Sequence, residues 1–169
     1  MVIGHASGIA ASLRPGTPPW IAPGTIAACN LFGSLIAGRL ADKLPPGPLL
    51  AAFALATTVA LAGLAAFGTD YGLFVCLGLI GFSYGGTIAA YPAVIAKLFG
   101  MQESARVYAR VTTAWGSAGL TGPWFAGVLF HWRGDYQGAL LAAAAFRVLS
   151  FIAVMVLFRR GGGPAHDLP

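Results

Sequence analysis

The sequence predicts an all-α integral membrane protein with five transmembrane helices and the end of a sixth. Composition, run length and charge placement predict it. The 169 residues are 57% hydrophobic and 9% charged, whereas a soluble domain carries about 25% charged residues. A chain this apolar cannot cover a water-facing surface. Its apolar residues gather in runs near the ~20 residues that carry a helix across the hydrocarbon core. Its charges, Arg147 apart, stand at the ends of those runs.

Residues 1–13 are apolar but too short to span, and they lack the basic leader of a signal peptide. They read as the remnant of a transmembrane helix whose beginning is missing. Arg14 to Pro19 is a turn-rich break. Residues 20–38 form the first span, with Pro23 near its start, where a missing N–H costs little. Arg39, Asp42 and Lys43 end it, and Pro45 to Pro48 is expected as a tight turn. Residues 49–67 form the second span, and Gly68-Thr69-Asp70 a short loop. Residues 71–96 form the third, kinked near its end by Pro92. A basic loop is expected over 97–110, then a fourth span over 111–130. His131 to Asp135 reads as a polar, aromatic interface loop. The fifth span, 136–158, is interrupted by Arg147. Arg159 and Arg160 stop it, and 161–169 form a flexible tail.

The net charge of +5 does not point to nucleic acid, because the basic residues sit singly at span ends. That placement marks the cytoplasmic side of a membrane. One set of alternate connections holds Arg39, Lys43, Lys97, Arg106, Arg110, Arg159 and Arg160; the other holds Arg14 and Arg133. The first set is expected in the cytoplasm, together with the C-terminus, in a plasma (inner) membrane. Cys29 and Cys76 both lie inside apolar runs, with neither a disulfide framework nor metal-ligand spacing. They read as small apolar filler.

The chain is organised around residues 81–123, two glycine-studded apolar helices joined through a basic connection. Gly81 and Gly85 stand four apart on one helix; Gly116, Gly119 and Gly122 stand three apart on the next. In lipid the apolar effect does not draw helices together, so backbones must approach closely instead. Both glycine rows are expected to serve helix packing.

Certain residues carry a resemblance. Asn30 to Gly33, then Gly38-Arg39-Leu40-Ala41-Asp42-Lys43, resembles the loop signature of the major facilitator superfamily. Tyr84-Gly85-Gly86, Tyr91-Pro92-Ala93, Phe99-Gly100, Tyr108, Ala114-Trp115-Gly116 and Gly122-Pro123 resemble more narrowly the oxalate/formate antiporter family. The resemblance implies half of a transporter bundle: residues 14–160 as the carboxy-terminal half, with the five spans standing as its eighth to twelfth helices. It implies that the first, third and fourth spans line a cavity while the second and fifth are peripheral. It implies Arg39, Asp42 and Lys43 as a cytoplasmic gate. Oxalate-handling members resemble one another in having a lysine in the eleventh helix, and no lysine lies beyond Lys97 here.

Polar residues inside spans mark candidate sites. Asn30, Tyr84, Thr87, Thr113 and Trp115 are the substrate-cavity candidates, with hydroxyls, an amide and an indole N–H to offer a small anion. An arginine at mid-span costs about 2.5–3.5 kcal/mol or more. Because its helix is expected to be peripheral, Arg147 reads as a snorkelling or carbonyl-capped side chain, and Arg147→Gln is expected to leave substrate affinity unchanged. His5 and His131 fall at interfaces and His166 in the tail, and none is read as a proton carrier. No Walker loop, G-x-S-x-G or H-E-x-x-H occurs, so no enzyme, catalytic residue, metal or cofactor is expected. The expected function is transport of a small organic anion, a mono- or dicarboxylate, by alternating access in a secondary transporter. Its partners are the lipid bilayer, the anion, and a missing amino-terminal half or a second chain. This chain by itself is expected to be inactive. A non-transporting membrane protein that packs on other helices is the second reading.

Overall fold

A computed structural model describes residues 2–66, 70–134 and 136–160. It contains five helices: α1 (Ala6–Leu13), α2 (Ile21–Lys43), α3 (Pro46–Ala66), α4 (Asp70–Arg133) and α5 (Gln137–Arg160). Among the described residues there is no strand. The expected loop residues Gly68 and Thr69, Asp135 of the interface loop, and the tail 161–169 lie outside the described residues.

Several helices run further than the charge pattern suggests. Helix α2 continues past Gly38 to Lys43 and stops where Leu44 turns extended, at φ −99° and ψ 152°. Leu44 precedes Pro45, whose ring disfavours helical geometry in its neighbour. Charges end a membrane crossing, but they do not end a helix. In the same way the turn expected at Pro45 to Pro48 is mostly helix. Pro46 opens α3, because the first helical N–H groups have no intrahelical acceptor to lose.

The largest departure is α4. At 64 residues an unbroken helix would be about 96 Å long, three times a ~30 Å hydrocarbon core. It is broken at Gly100, where φ is 75° and ψ 166°, a conformation open to glycine almost alone. The limbs 70–99 and 101–133 fold back on each other, so that Tyr84 stacks on Trp115 with ring centroids 6.0 Å apart. The loop expected over 97–110 is therefore helix on both sides of one glycine. Residues 101–110 hold no proline or glycine, and Arg106 reaches back one turn to Glu103 at 3.4 Å. His131, Trp132 and Arg133, expected in an interface loop, form the last turn of α4. Gly134 closes that helix with φ 74°, its N–H donating to the Phe130 carbonyl at 2.8 Å. Left-handed glycine is a common helix stop. Four helices are long and apolar enough to cross a membrane. With α4 folded at Gly100 the chain has five crossings, a partial bundle of the kind the sequence predicts.

The tightest packing joins α2 to the first limb of α4. A methyl group added at Gly33 would strike the Phe82 carbonyl, one at Gly81 the Ile26 carbonyl, and one at Gly85 the Asn30 carbonyl. Two backbones so close gain dispersion contact that lipid cannot replace. Cys29 and Cys76, both free thiols, face Gly78 and Gly63 and fill the space those glycines leave. Gly116 and Gly119 behave differently: a Cβ at either would meet nothing within 4 Å. The close packing expected there is absent for these two residues, because a small-residue row permits contact without supplying a partner. Helices α2 and α3 hardly touch although they are consecutive; α3 packs on α4 and α5 instead. The core has two clusters. One gathers Ile9, Ile26, Leu64, Leu73, Leu77 and Leu140; the other gathers Ala37, Leu49, Phe53 and Ala90.

Candidate functional site

A cavity of about 250 Å³ opens between α3, both limbs of α4 and α5. Its lining follows from the fold at Gly100. The first limb contributes Ile80, Tyr84, Thr87, Ile88 and Tyr91; the second contributes Tyr108, Val111, Thr112 and Trp115. These residues pair by distance from the break. Tyr84 stands 16 before Gly100 and Trp115 stands 15 after it; Tyr91 and Tyr108 stand 9 before and 8 after. Each limb sends one helical stripe inward, since positions three, four and seven apart share a face. Thr57 of α3 and Arg147 of α5 complete the wall.

The polar chemistry of this wall is mostly donation. Thr57, Thr87 and Thr112 spend their hydroxyl protons on carbonyls one turn back, those of Phe53, Ser83 and Tyr108, at 2.8, 2.7 and 2.8 Å. The remaining donors are the phenols of Tyr84, Tyr91 and Tyr108, the Trp115 indole and the Arg147 guanidinium. Among the described residues no carboxylate lines the cavity and no cluster suited to a metal occurs. Apolar walls with a few converging polar groups are the usual form of a small-molecule site. The volume lies just under the about 300–1,000 Å³ of drug-sized pockets, so the space suits a ligand of metabolite size.

Three of the five sequence-chosen cavity residues, Tyr84, Thr87 and Trp115, line this space, and two do not. Asn30 is at the α2–α4 seam, its amide oxygen 3.5 Å from the Ser34 hydroxyl and its carbonyl against Gly85. Thr113 bonds back to the Ala109 carbonyl at 2.9 Å and lies outside the lining; its neighbour Thr112, also exposed, borders the cavity. Sequence reading missed Thr57, Tyr91 and Tyr108. The seven-residue spacing of Tyr84 to Tyr91 and of Tyr108 to Trp115 was a signal that could have found the two tyrosines.

Arg147 also departs from expectation. It is half-buried and lines the cavity, and its Nε is a buried donor with no hydrogen-bond partner among the described residues. No carbonyl caps that nitrogen. At the expected gate, Arg39, Asp42 and Lys43 are exposed, and Arg39 donates to Leu35 of its own helix at 3.4 Å. The cation that holds the end of α2 is Lys97, whose Nζ donates to the carbonyls of Ala41, Asp42 and Leu44. A cation suits the carbonyl-rich end of a helix. Far from the cavity, His5 bridges α1 to both α4 and Tyr136, just ahead of α5. With its proton on Nε2 it donates to the Pro123 carbonyl at 3.1 Å and accepts from the Tyr136 hydroxyl at 3.3 Å.

The comparisons with known proteins agree with this architecture. The family model of the Major Facilitator Superfamily matches residues 7–168. The chain is 31% identical over 140 residues to the aspyridones efflux protein apdF of Emericella nidulans, covering 80% of this chain and 29% of that protein. It is 27% identical over 95 residues to an uncharacterized MFS-type transporter, YhjX, of Escherichia coli strain K12, covering 54% of this chain and 23% of that one. The chain thus spans under a third of the length of either relative. No solved structure matches. An all-helical, multi-pass membrane chain that matches this family from residue 7 to residue 168 belongs to the major facilitator superfamily, a family of transporters and not of enzymes.

Proposed function

We propose that the chain supplies one wall of a secondary transporter that moves a small organic anion, a mono- or dicarboxylate, by alternating access. The observation that carries this reading is the donor-rich, acid-free cavity between α3, α4 and α5. A lining of phenols, an indole and a guanidinium suits a ligand that accepts hydrogen bonds, and the absence of carboxylates from it disfavours a cation. The relative in Emericella nidulans, named as an efflux protein for aspyridones, supports movement of a solute across the membrane. Transporters of this kind rock two bundles about a site between them, and this chain forms one bundle. A companion half, in the same polypeptide or a second chain, completes the cavity in this reading. Membership of the superfamily and the placement of basic residues support a plasma membrane location with the C-terminus in the cytoplasm.

The test is exchange of labelled carboxylates in proteoliposomes holding the complete protein. Saturable exchange, competed by other small carboxylates and not by their amides, is the expected result, with loss of exchange in Trp115→Ala. Transport confined to cations or neutral solutes would overturn the anion assignment. No transport of any solute by well-folded protein would favour an assembly partner that packs on other helices.

A further inference from the structure

Resting on that reading, we infer that Arg147 is the residue that takes the substrate's charge, and that it takes a single carboxylate. Arg147 stands ten residues into α5, about 15 Å along the helix from Gln137 and farther from the other end. An arginine side chain does not bridge that length, so its head cannot reach water by snorkelling. It points instead into the cavity it shares with Tyr84, Tyr91, Tyr108 and Trp115. Its Nε is a buried donor without a hydrogen-bond partner among the described residues.

A cation held at mid-membrane without a counter-ion is costly. The acidic side chains described elsewhere do not serve it: Asp42 is exposed beyond the cavity, and Glu103 pairs with Arg106. A carboxylate entering the cavity supplies both the missing charge and the missing acceptor. It can lie side-on against Nε and one terminal nitrogen, the bidentate geometry that guanidinium favours. One cation in the lining matches one anionic group. The aromatic rings and Ile80, Ile88 and Val111 then favour a monocarboxylate with an apolar body over a dicarboxylate. A lipid headgroup offers similar chemistry, but it belongs at the bilayer surface, well away from this depth.

The test uses the purified complete protein in phosphatidylcholine nanodiscs, with benzoate as probe and benzamide as its neutral isostere. Benzoate is expected to bind saturably, and Arg147→Gln to weaken it about 10- to 100-fold, the value of a charge-assisted hydrogen bond. Arg147→Lys restores part of the affinity. Benzamide binding is the same in wild type and Arg147→Gln, which a purely structural role would not predict. Should Arg147→Gln fail to fold, phenylglyoxal modification of Arg147 in the wild type, followed by mass spectrometry, gives the same answer. Benzoate then slows modification and benzamide does not; equal rates overturn the proposal. Phosphatidylglycerol nanodiscs that protect Arg147 without benzoate would assign the site to lipid and also overturn it. If Arg147→Gln keeps benzoate affinity while Trp115→Ala loses it, the Arg147 assignment falls and the anion-transport reading stands. If no carboxylate binds the wild type, both fall.

Discussion

At the residue scale, polar side chains in this molecule divide by whether their helix already satisfies them. The threonines of the cavity wall donate to their own backbones, a local bond open to any helical threonine and readable from sequence. Ser83 does not: its hydroxyl is fully buried with no partner among the described residues. An unsatisfied buried hydroxyl costs about 1–3 kcal/mol. Ser83→Ala removes it at almost no cost in volume, so the variant is expected to unfold in detergent at a temperature equal to or above the wild type's. A clear drop in that temperature would show a partner for Ser83 in the folded protein. Tyr84, Thr87 and Trp115 were recognisable as polar groups in apolar runs. Thr112 and Thr113 were not separable, because one residue of register, 100° of helix rotation, decides which faces inward.

At the element scale, glycine spacing set out two packing rows and the fold used one in full. Gly85 lies against the Asn30 backbone, while Gly116 faces open space. The two positions therefore give opposite predictions. Gly85→Val forces α2 away from α4 and is expected to cost about 1–3 kcal/mol or more, as overpacking does. Gly116→Ala is expected to be neutral or to stabilise by up to about 1 kcal/mol, because alanine is the better helix former. Thermal unfolding of both variants in one detergent checks the pair; equal losses would mean that both rows are packed. The same scale explains the hairpin. Charges at 97–110 were read as a membrane exit, but helix propensity ran through them. Among the prolines and glycines of α4, the rod breaks at Gly100, whose φ is positive.

At the scale of the whole molecule, the folding of α4 at Gly100 decides which residues share a site. It brings Tyr84 to Trp115 and sets Tyr91 and Tyr108 in one wall, and α5 closes that wall with Arg147. Sidedness is the matching prediction. In a background with Cys29 and Cys76 replaced by serine, Thr17→Cys is expected to react with an impermeant maleimide in intact cells. Ser104→Cys is expected to react only after permeabilisation. Both positions are partly exposed in the structure, so the reverse pattern would invert the proposed orientation.

The sequence by itself determined the class, the number of crossings and the family, because each depends on local quantities: apolar run length, charge placement and short motifs. It also marked Gly81 and Gly85 as a packing row, since close approach in lipid needs residues without side chains, while the fold supplied α2 as the partner. Only the tertiary structure decided the cavity. Whether Thr112 or Thr113 faces it, whether Asn30 does, and whether a helix expected at the periphery delivers an arginine to it all depend on helix rotation and on where α4 folds back. Those are properties of how whole helices pack, and no local pattern of residues contains them.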